Sequence, residues 1–300
     1  MVEKIAVIIV FSYYKSKRSI TGTIYDLNRI VNHCVAAEFD QIRILTDFTS
    51  EMIDSDEFWV QRTLFNEIQN KVHQNHLYEN VSSVRMILRD LHPGERRFIY
   101  YSGHCKNNII KLPSYGEIKI NQLKIIASRN ASSVFFIIDC CQSEGVNLLY
   151  KINTDSIISN VLLHGVGNTN SYSRYYQLNN SDDENYRDCE IISISSSNTH
   201  KNSYSTDQGS IFTYMLVKLF KEYINIFEQD KSSIITLERF TVDIEEQIRL
   251  YYSQKHRPCP SIQISRLTTN SIPRWMCIKQ NILSIKCDPI RQVLVIERHK

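Results

Sequence analysis

No strand pattern in this chain is followed by a glycine-rich loop, and no two cysteines stand as Cys-x-x-Cys. No block of lysine or arginine stands out, and no apolar stretch reaches transmembrane length. Each absence removes a class. Without a phosphate-cradling loop, a nucleotide-binding α/β domain is disfavoured. The eight cysteines (34, 105, 140, 141, 189, 259, 277 and 287) are scattered over 300 residues. That is neither a zinc-site spacing nor a small disulfide scaffold, and it points to a reducing compartment. The formal charge is +3, near neutral for the length, so neither nucleic acid nor a membrane surface is an expected partner. The N-terminus runs straight into a strand pattern with no cleavage site after it, so the expectation is a soluble, cytoplasmic, unsecreted chain. Glycine is scarce, at eight residues, while Asn and Ile are plentiful; this says nothing about activity.

What is present suffices for a sizeable core, since 42% of the residues are hydrophobic and the length allows one large domain. The densest signal is Val134 to Ile138, five apolar residues in a row with no helical period. Such a run reads as a strand buried on both faces of a parallel sheet. Asp139, Cys140 and Cys141 follow at its carboxyl end, where open α/β sheets gather ligands and catalytic groups. A second strand of the same type, at residues 97–101, ends in Ser102, Gly103 and His104. Two neighbouring parallel strands would bring an imidazole and a thiol to one rim. Taken singly, a thiol after a buried strand is commonly an inert small hydrophobe, and a histidine a satisfied polar neighbour. Their coincidence at the same end of two strands favours chemistry. Cysteine catalysis needs a thiolate, an imidazole that exchanges protons with the leaving group, and donors for the developing oxyanion. Cys141, His104 and the backbone N–H groups beside them are the candidates.

The remaining pattern alternates. Strands are predicted at residues 4–11, 41–45, 190–195 and 261–265. Helical spacing falls over 22–37, over a stretch carrying Val84, Ile87, Leu88 and Leu91, and over 120–128, 209–220 and 236–252. This is the pattern of an α/β fold with a mostly parallel six-stranded sheet and helices on both faces. Residues 165–188 are rich in Asn, Ser, Tyr and acidic side chains without period, and read as a flexible linker. They divide one domain, residues 1–268, into a large portion (1–164) and a small portion (189–268). Residues 269–300 form a tail of no evident role, with an alternation near 293–296 that reads as a terminal hairpin.

These residues carry a family resemblance. Tyr100-Tyr-Ser-Gly-His104 resembles the Tyr-Ser-Gly-His-Gly motif of metacaspases and paracaspases, and Asp139-Cys-Cys-Gln-Ser143 resembles their Asp-x-Cys-His-Ser-Gly. Ile20-Thr-Gly22 through Asp26 is similar to the Leu-x-Gly-Cys-x-Asn-Asp segment after the first strand. Arg43-Ile-Leu-Thr-Asp47 is similar to the second-strand ending. Glu190 to Ser195, then Gly209-Ser-Ile-Phe-Thr213, resembles the strand and Gly-x-Phe-Thr helix start of the small-subunit region. The resemblance spans roughly residues 4–265. It implies a caspase-like fold and a cysteine endopeptidase acting on proteins or peptides, with His104 and Cys141 as the dyad. It also implies the N–H groups of Cys105 and Cys141 as oxyanion donors, and Asp26, Ser102 and Asp139 as a pocket for Arg or Lys before the scissile bond. Independently, two carboxylates at one rim favour a cationic side chain. No cofactor is implied.

The departures from the family pattern also carry information. Cys105 stands where the family has Gly, and Gln142 and Glu144 replace its His and Gly after the nucleophile. The dyad residues are 37 apart, shorter than the family pattern. Residues 106–117 hold one carboxylate, Glu117, where many metacaspases carry an acidic calcium-binding loop; no metal site is expected, because calcium prefers several anionic oxygens. Two readings follow. One is a calcium-independent endopeptidase cleaving after Arg or Lys, with Arg174 and Arg187 in the linker as candidate self-cleavage positions. The other is a catalytically inactive homologue acting as a scaffold or regulator.

Overall fold

Uninterrupted apolar runs have to be covered on both sides, and here they form the middle of one sheet. The computed structural model describes residues 3–14, 16–20, 22–48, 59–72, 81–89, 91–113, 116–143, 150–153, 175–177, 189–197, 203, 205–254, 263–266, 271–277, 284–288 and 293–297. In chain order the elements begin with β1 (Lys4–Val10), α1 (Thr23–Ala36), β2 (Gln41–Thr46), α2 (Trp59–Val72), α3 (Val81–Arg89) and β3 (Arg96–Ser102). Then come β4 (Cys105–Lys106), β5 (Ile109–Lys111), β6 (Glu117–Lys119), α4 (Ile120–Ser128) and β7 (Ser133–Asp139). The rest are β8 (Tyr150–Asn153), β9 (Tyr175–Gln177), β10 (Glu190–Ser195), β11 (Ser205–Thr206), β12 (Gly209–Ser210), α5 (Ile211–Gln229), α6 (Leu237–Gln254), β13 (Gln263–Arg266), β14 (Ser284–Asp288) and β15 (Val293–Glu297).

The main sheet runs β14-β15-β2-β1-β3-β7-β10-β13-β8-β9. Its centre, β2-β1-β3-β7-β10, is parallel throughout, and β13 joins antiparallel on β10. Those six are the strands expected from the sequence. Four more extend the sheet. β8 and β9 add antiparallel strands beyond β13, and the terminal hairpin of β14 and β15 lies on β2. The tail is therefore part of the sheet. The stretch from 271 to 277 also belongs to the core, with Ile272, Trp275, Met276 and Cys277 buried.

Period-two alternation divides the strand side chains between two cores. Ala6, Ile8, Phe98, Tyr100, Phe135, Ile137, Ile192 and Ile194 face one side, under α1, α2, α5 and α6. Ile5, Val7, Ile9, Ile99, Tyr101, Phe136, Ile138 and Ile191 face the other, under α3 and α4. Helix α5 runs nine residues past its expected end because Tyr223, Ile224 and Phe227 continue the apolar stripe begun by Phe212, Leu216 and Phe220. Gly209 and Ser210 sit before the helix, where the Ser210 hydroxyl caps it by accepting from the Thr213 N–H at 3.5 Å.

Because the central strands are parallel, their carboxyl ends open on one rim, and the loops there carry the polar residues. The sheet supporting that rim depends on its aromatic layer. Phe135 is fully buried between Phe98 (6.3 Å between ring centroids) and Phe220 (6.2 Å). Phe135→Ala is expected to lose about 3–5 kcal/mol of stability, read as a shift of the urea midpoint. A loss under about 1 kcal/mol would contradict this packing.

Candidate active site

Pairing of β3 with β7 sets Ser102 opposite Asp139, so the two apolar runs end together. His104 and Cys141 each follow by two residues and leave the sheet at the same rim. The Gly103 N–H reaches the Asp139 carbonyl at 3.4 Å, keeping the chains side by side beyond the last registered pair.

The loop after β1 holds His104. Nε2 of its ring lies 2.6 Å from the Arg18 carbonyl. A backbone carbonyl only accepts, so Nε2 carries the proton and Nδ1 keeps the lone pair. The Tyr13 ring packs against the imidazole at 4.5 Å between centroids. The Tyr13 hydroxyl accepts from the His104 N–H (3.0 Å) and donates to the Lys111 carbonyl (2.5 Å). It thus stands in the hairpin ladder where His104 and Lys111 would exchange their second bond; the first is the Lys111 N–H to the His104 carbonyl, at 2.9 Å. The Tyr101 hydroxyl donates to that same His104 carbonyl at 2.8 Å. A Cβ at Gly103 would lie 2.7 Å from the Tyr101 hydroxyl and 2.9 Å from that of Tyr13, so only glycine leaves room for both. Tyr13 has φ of 54°, an uncommon conformation for a side-chain-bearing residue. Asp47 stabilises it, accepting the N–H groups of Ser12 (2.5 Å) and Tyr13 (2.6 Å) on its two oxygens.

The same ladder decides what Cys105 does. In an antiparallel pair hydrogen-bonded and non-hydrogen-bonded positions alternate. His104 with Lys111 is a bonded position, so Cys105 opposite Ile110 is not. Its N–H is therefore left unused by the hairpin. Cys105 is not among the residues with positive φ, and its side chain is buried in the core under α3 and α4. A side chain at this position crowds neither the N–H nor the rim.

Cys140 and Cys141 separate as strand alternation requires. Cys140 is buried in that same core, while Cys141 is partly exposed at the rim. The Cys141 thiol donates to the Ser203 carbonyl at 3.4 Å. Burial pushes the Cys141 thiol pKa up, and the nearby Asp139 charge adds to it. The turn that follows is gripped by serines at the end of β10. The Ser197 hydroxyl donates to the Cys140 carbonyl (2.7 Å), and the Ser143 and Ser195 hydroxyls meet at 2.5 Å.

Asp26, Ser102 and Asp139 also come together. Asp26, on the first turn of α1, is fully buried. Its Oδ1 accepts from the Ser210 N–H (2.9 Å) and pairs with Arg29 (3.4 Å), and its Oδ2 accepts from the Ser102 hydroxyl (3.4 Å). Burial, then the charge of Asp139, push its pKa well above the carboxylate range. Gly209 has φ of 92°, and a Cβ there would stand 2.4 Å from Asp26 Oδ1; glycine is required on both counts. Asp139 accepts from the Ser203 hydroxyl on Oδ1 (3.0 Å) and from the Thr213 hydroxyl on Oδ2 (2.6 Å). Thr213 in turn meets the Tyr100 hydroxyl at 2.7 Å.

The chain as a whole has a counterpart among known families. The family model for the caspase domain matches residues 3–271, nearly the whole chain. The chain belongs to the caspase-domain family. That family is one of cysteine peptidases, which act on proteins. Among solved structures this caspase-domain chain is similar to the crystal structure of caspase-1 from Spodoptera frugiperda, at 14% identity over 93% of this chain and 91% of that one, with a TM-score of 0.47. No curated protein matches it. In this caspase-domain chain Arg174 and Arg187 lie outside the described residues, as does most of the expected linker; Tyr175–Gln177 within it forms β9. Among the described residues no group of three or more His, Cys, Asp or Glu could hold a metal ion, and no helix is long and apolar enough to cross a membrane.

The sequence reading did not find Tyr13, Arg18 or Ser203. Arg18 and Ser203 act partly through backbone carbonyls, which have no sequence signature, and Tyr13 reaches His104 across 91 residues of chain.

Asp47 offers a test of the scaffold beneath His104. Burial pushes its pKa up to about 6 from 3.8, outweighing the hydrogen bonds from Ser12, Tyr13 and its own N–H that lower it. The native state then holds a proton that the unfolded chain releases between those values. The contribution of this group is fully present below about pH 4 and is lost as pH rises through about 6. Wild-type stability relative to Asp47→Asn should fall by on the order of 2 kcal/mol between pH 4 and 7, measured by urea unfolding at each pH. A difference that is flat or rises with pH would contradict the assignment.

Proposed function

We propose that this caspase-domain protein is a cysteine endopeptidase that cleaves after Arg or Lys without calcium, nearer in type to metacaspases and paracaspases than to peptidases cutting after Asp. The observation that supports this reading is the β3–β7 register, which ends the strands before His104 and Cys141 together with Asp139 opposite Ser102, to whose hydroxyl Asp26 is hydrogen-bonded. His104 Nδ1, the unprotonated nitrogen, takes the Cys141 proton as sulfur attacks the substrate carbonyl carbon. The N–H groups of Cys105 and Cys141 stabilise the oxyanion, and such donors are each worth roughly 10²–10³ in rate. The C–N bond breaks as the leaving amine takes the proton from Nδ1. Water then attacks the thioester, losing a proton to Nδ1, and that proton returns to the thiol as the acid product leaves.

Asp139 and Asp26, with the Ser102 hydroxyl, supply the anionic side of the pocket for the cationic side chain. Calcium independence rests on the hairpin of β4 to β6, whose one carboxylate, Glu117, is already paired with Lys111. The inactive-scaffold reading draws on Cys105 and on Gln142 and Glu144 beside Cys141; the Cys105 argument loses force because the ladder leaves that N–H unused and the side chain turns into the core.

Fluorogenic peptides ending in Arg, Lys or Asp test the proposal. Arg and Lys peptides should be cleaved, with no effect of chelator. Cys141→Ala should abolish turnover, whereas Cys140→Ala should keep most of it. Asp139→Asn should raise KM for Arg peptides by on the order of tenfold or more, the loss of a charged hydrogen bond, without creating a preference for Asp. Equal cleavage after Asp, a strict calcium requirement, or an inert wild type would each defeat it. Self-processing is read from the same preparations by mass spectrometry: fragments ending at Arg174 or Arg187 in wild type but not in Cys141→Ala support it, and an intact, fully active chain rules it out as a requirement.

A further inference from the structure

Ser203 touches both halves of this site at once. Its hydroxyl donates to Asp139 Oδ1 at 3.0 Å, and its carbonyl accepts the Cys141 thiol proton at 3.4 Å. Asp139 and Cys141 are two residues apart, so one residue spans the pocket acid and the nucleophile. A thiol has a single proton. While that proton points at the Ser203 carbonyl, it is not shared with the Nδ1 of His104, and the thiol has to turn before it can pass the proton to its base.

The two oxygens of Asp139 differ in how easily they can be vacated. Oδ2 is bound by Thr213, which is fully buried and also tied to Tyr100. Oδ1 is bound by Ser203, which is partly exposed and comes from the rim segment after β10. An incoming cation therefore competes with Ser203. A guanidinium or ammonium brings the carboxylate a full opposite charge and more than one donor, where the Ser203 hydroxyl brings a single neutral donor, so the cation wins that exchange, whereas an uncharged side chain gains little over the serine it displaces.

We propose that Ser203 is a specificity-determining residue that couples the pocket to the nucleophile: a cationic side chain reaching Asp139 displaces the Ser203 hydroxyl, and the same movement withdraws the Ser203 carbonyl from the Cys141 thiol. This rests on the basic-specificity reading above and deepens it. Arg and Lys then gain in the chemical step as well as in binding, because only they free the sulfur. Neutralising the Asp139 charge acts in the same direction, since that charge disfavours the thiolate.

The experiment is alkylation of Cys141 by iodoacetamide in the full-length chain, followed by tandem mass spectrometry of the peptide containing it. The probes are propylguanidinium and its uncharged analogue N-propylurea. In wild type, propylguanidinium should raise the alkylation rate threefold or more, and N-propylurea should leave it unchanged. Ser203→Ala should alkylate at the raised rate with no probe and gain nothing further from the cation. Ser203→Thr, which keeps the hydroxyl, should retain the response, and Asp139→Asn should lose it. A wild-type rate unchanged or slowed by propylguanidinium, or a Ser203→Ala rate equal to that of wild type, overturns the coupling. The two readings fail separately. Arg peptides cleaved with no alkylation response would sink the coupling alone, while a response without cleavage after Arg or Lys would sink the peptidase reading alone.

Discussion

The parallel pairing of β3 with β7 is the constraint on which this rim depends. A register slip of one residue would move Ser102 off Asp139, turn every core side chain of one strand to the opposite face, and exchange the places of Cys140 and Cys141. Burial prevents the slip. Phe98 and Tyr100 on β3, and Phe135 and Ile137 on β7, face one core, while Ile99, Tyr101, Phe136 and Ile138 face the other. Neither strand has a polar face on which to slide. The hydrophobic layers thereby fix which thiol reaches the rim.

The same burial makes the polar end of the sheet costly. Carboxylates in low dielectric are tolerated only when hydrogen-bonded or paired. Asp139 has two hydroxyl donors, Asp26 has a backbone N–H, a hydroxyl and Arg29, and Asp47 has two backbone N–H groups. For Asp26 the donors do not offset burial and the neighbouring Asp139, and its pKa stays raised. The charge of Asp139 disfavours that of Asp26, and a cation in the proposed pocket relieves this as well as forming bonds. The raised pKa of Asp26 is thus part of the selectivity of the proposed pocket.

How far the sequence shows this follows from range. Continuous apolar runs and helical stripes are local, and the six strands and the helices around them stand where those patterns place them. His104, Cys141, Asp26, Ser102 and Asp139 were legible because each lies at the end or beginning of such an element. β8 and β9 were not, since the chain after Leu149 loses its periodicity and these strands exist by pairing outward from β13. The consequence of Cys105 was not legible either. Whether a side chain there blocks the rim depends on backbone φ and on the phase of a hairpin ladder, and neither follows from the residue's identity. The turn at Asn107 and Asn108, both with positive φ, sets that phase.

Sheet order accounts for the groups that sequence reading missed. In the order β1-β3-β7-β10, the two strands carrying His104 and Cys141 are the inner pair. Each is attended by its outer neighbour. The loop after β1 gives the Tyr13 ring and hydroxyl and the Arg18 carbonyl to His104. The chain after β10 gives Ser195 and Ser197 to the turn at Cys140 to Ser143, and Ser203 to Cys141 and Asp139. The base and the thiol are therefore oriented by separate parts of the chain on opposite sides of the pair. Changes at Tyr13 or Arg18 bear on the imidazole, while Asp26, farther along on α1, belongs to the pocket. Changes after β10 bear on thiol and pocket together, because Ser203 contacts both. The fold thus ties nucleophile to specificity on one side, and leaves the base independent on the other.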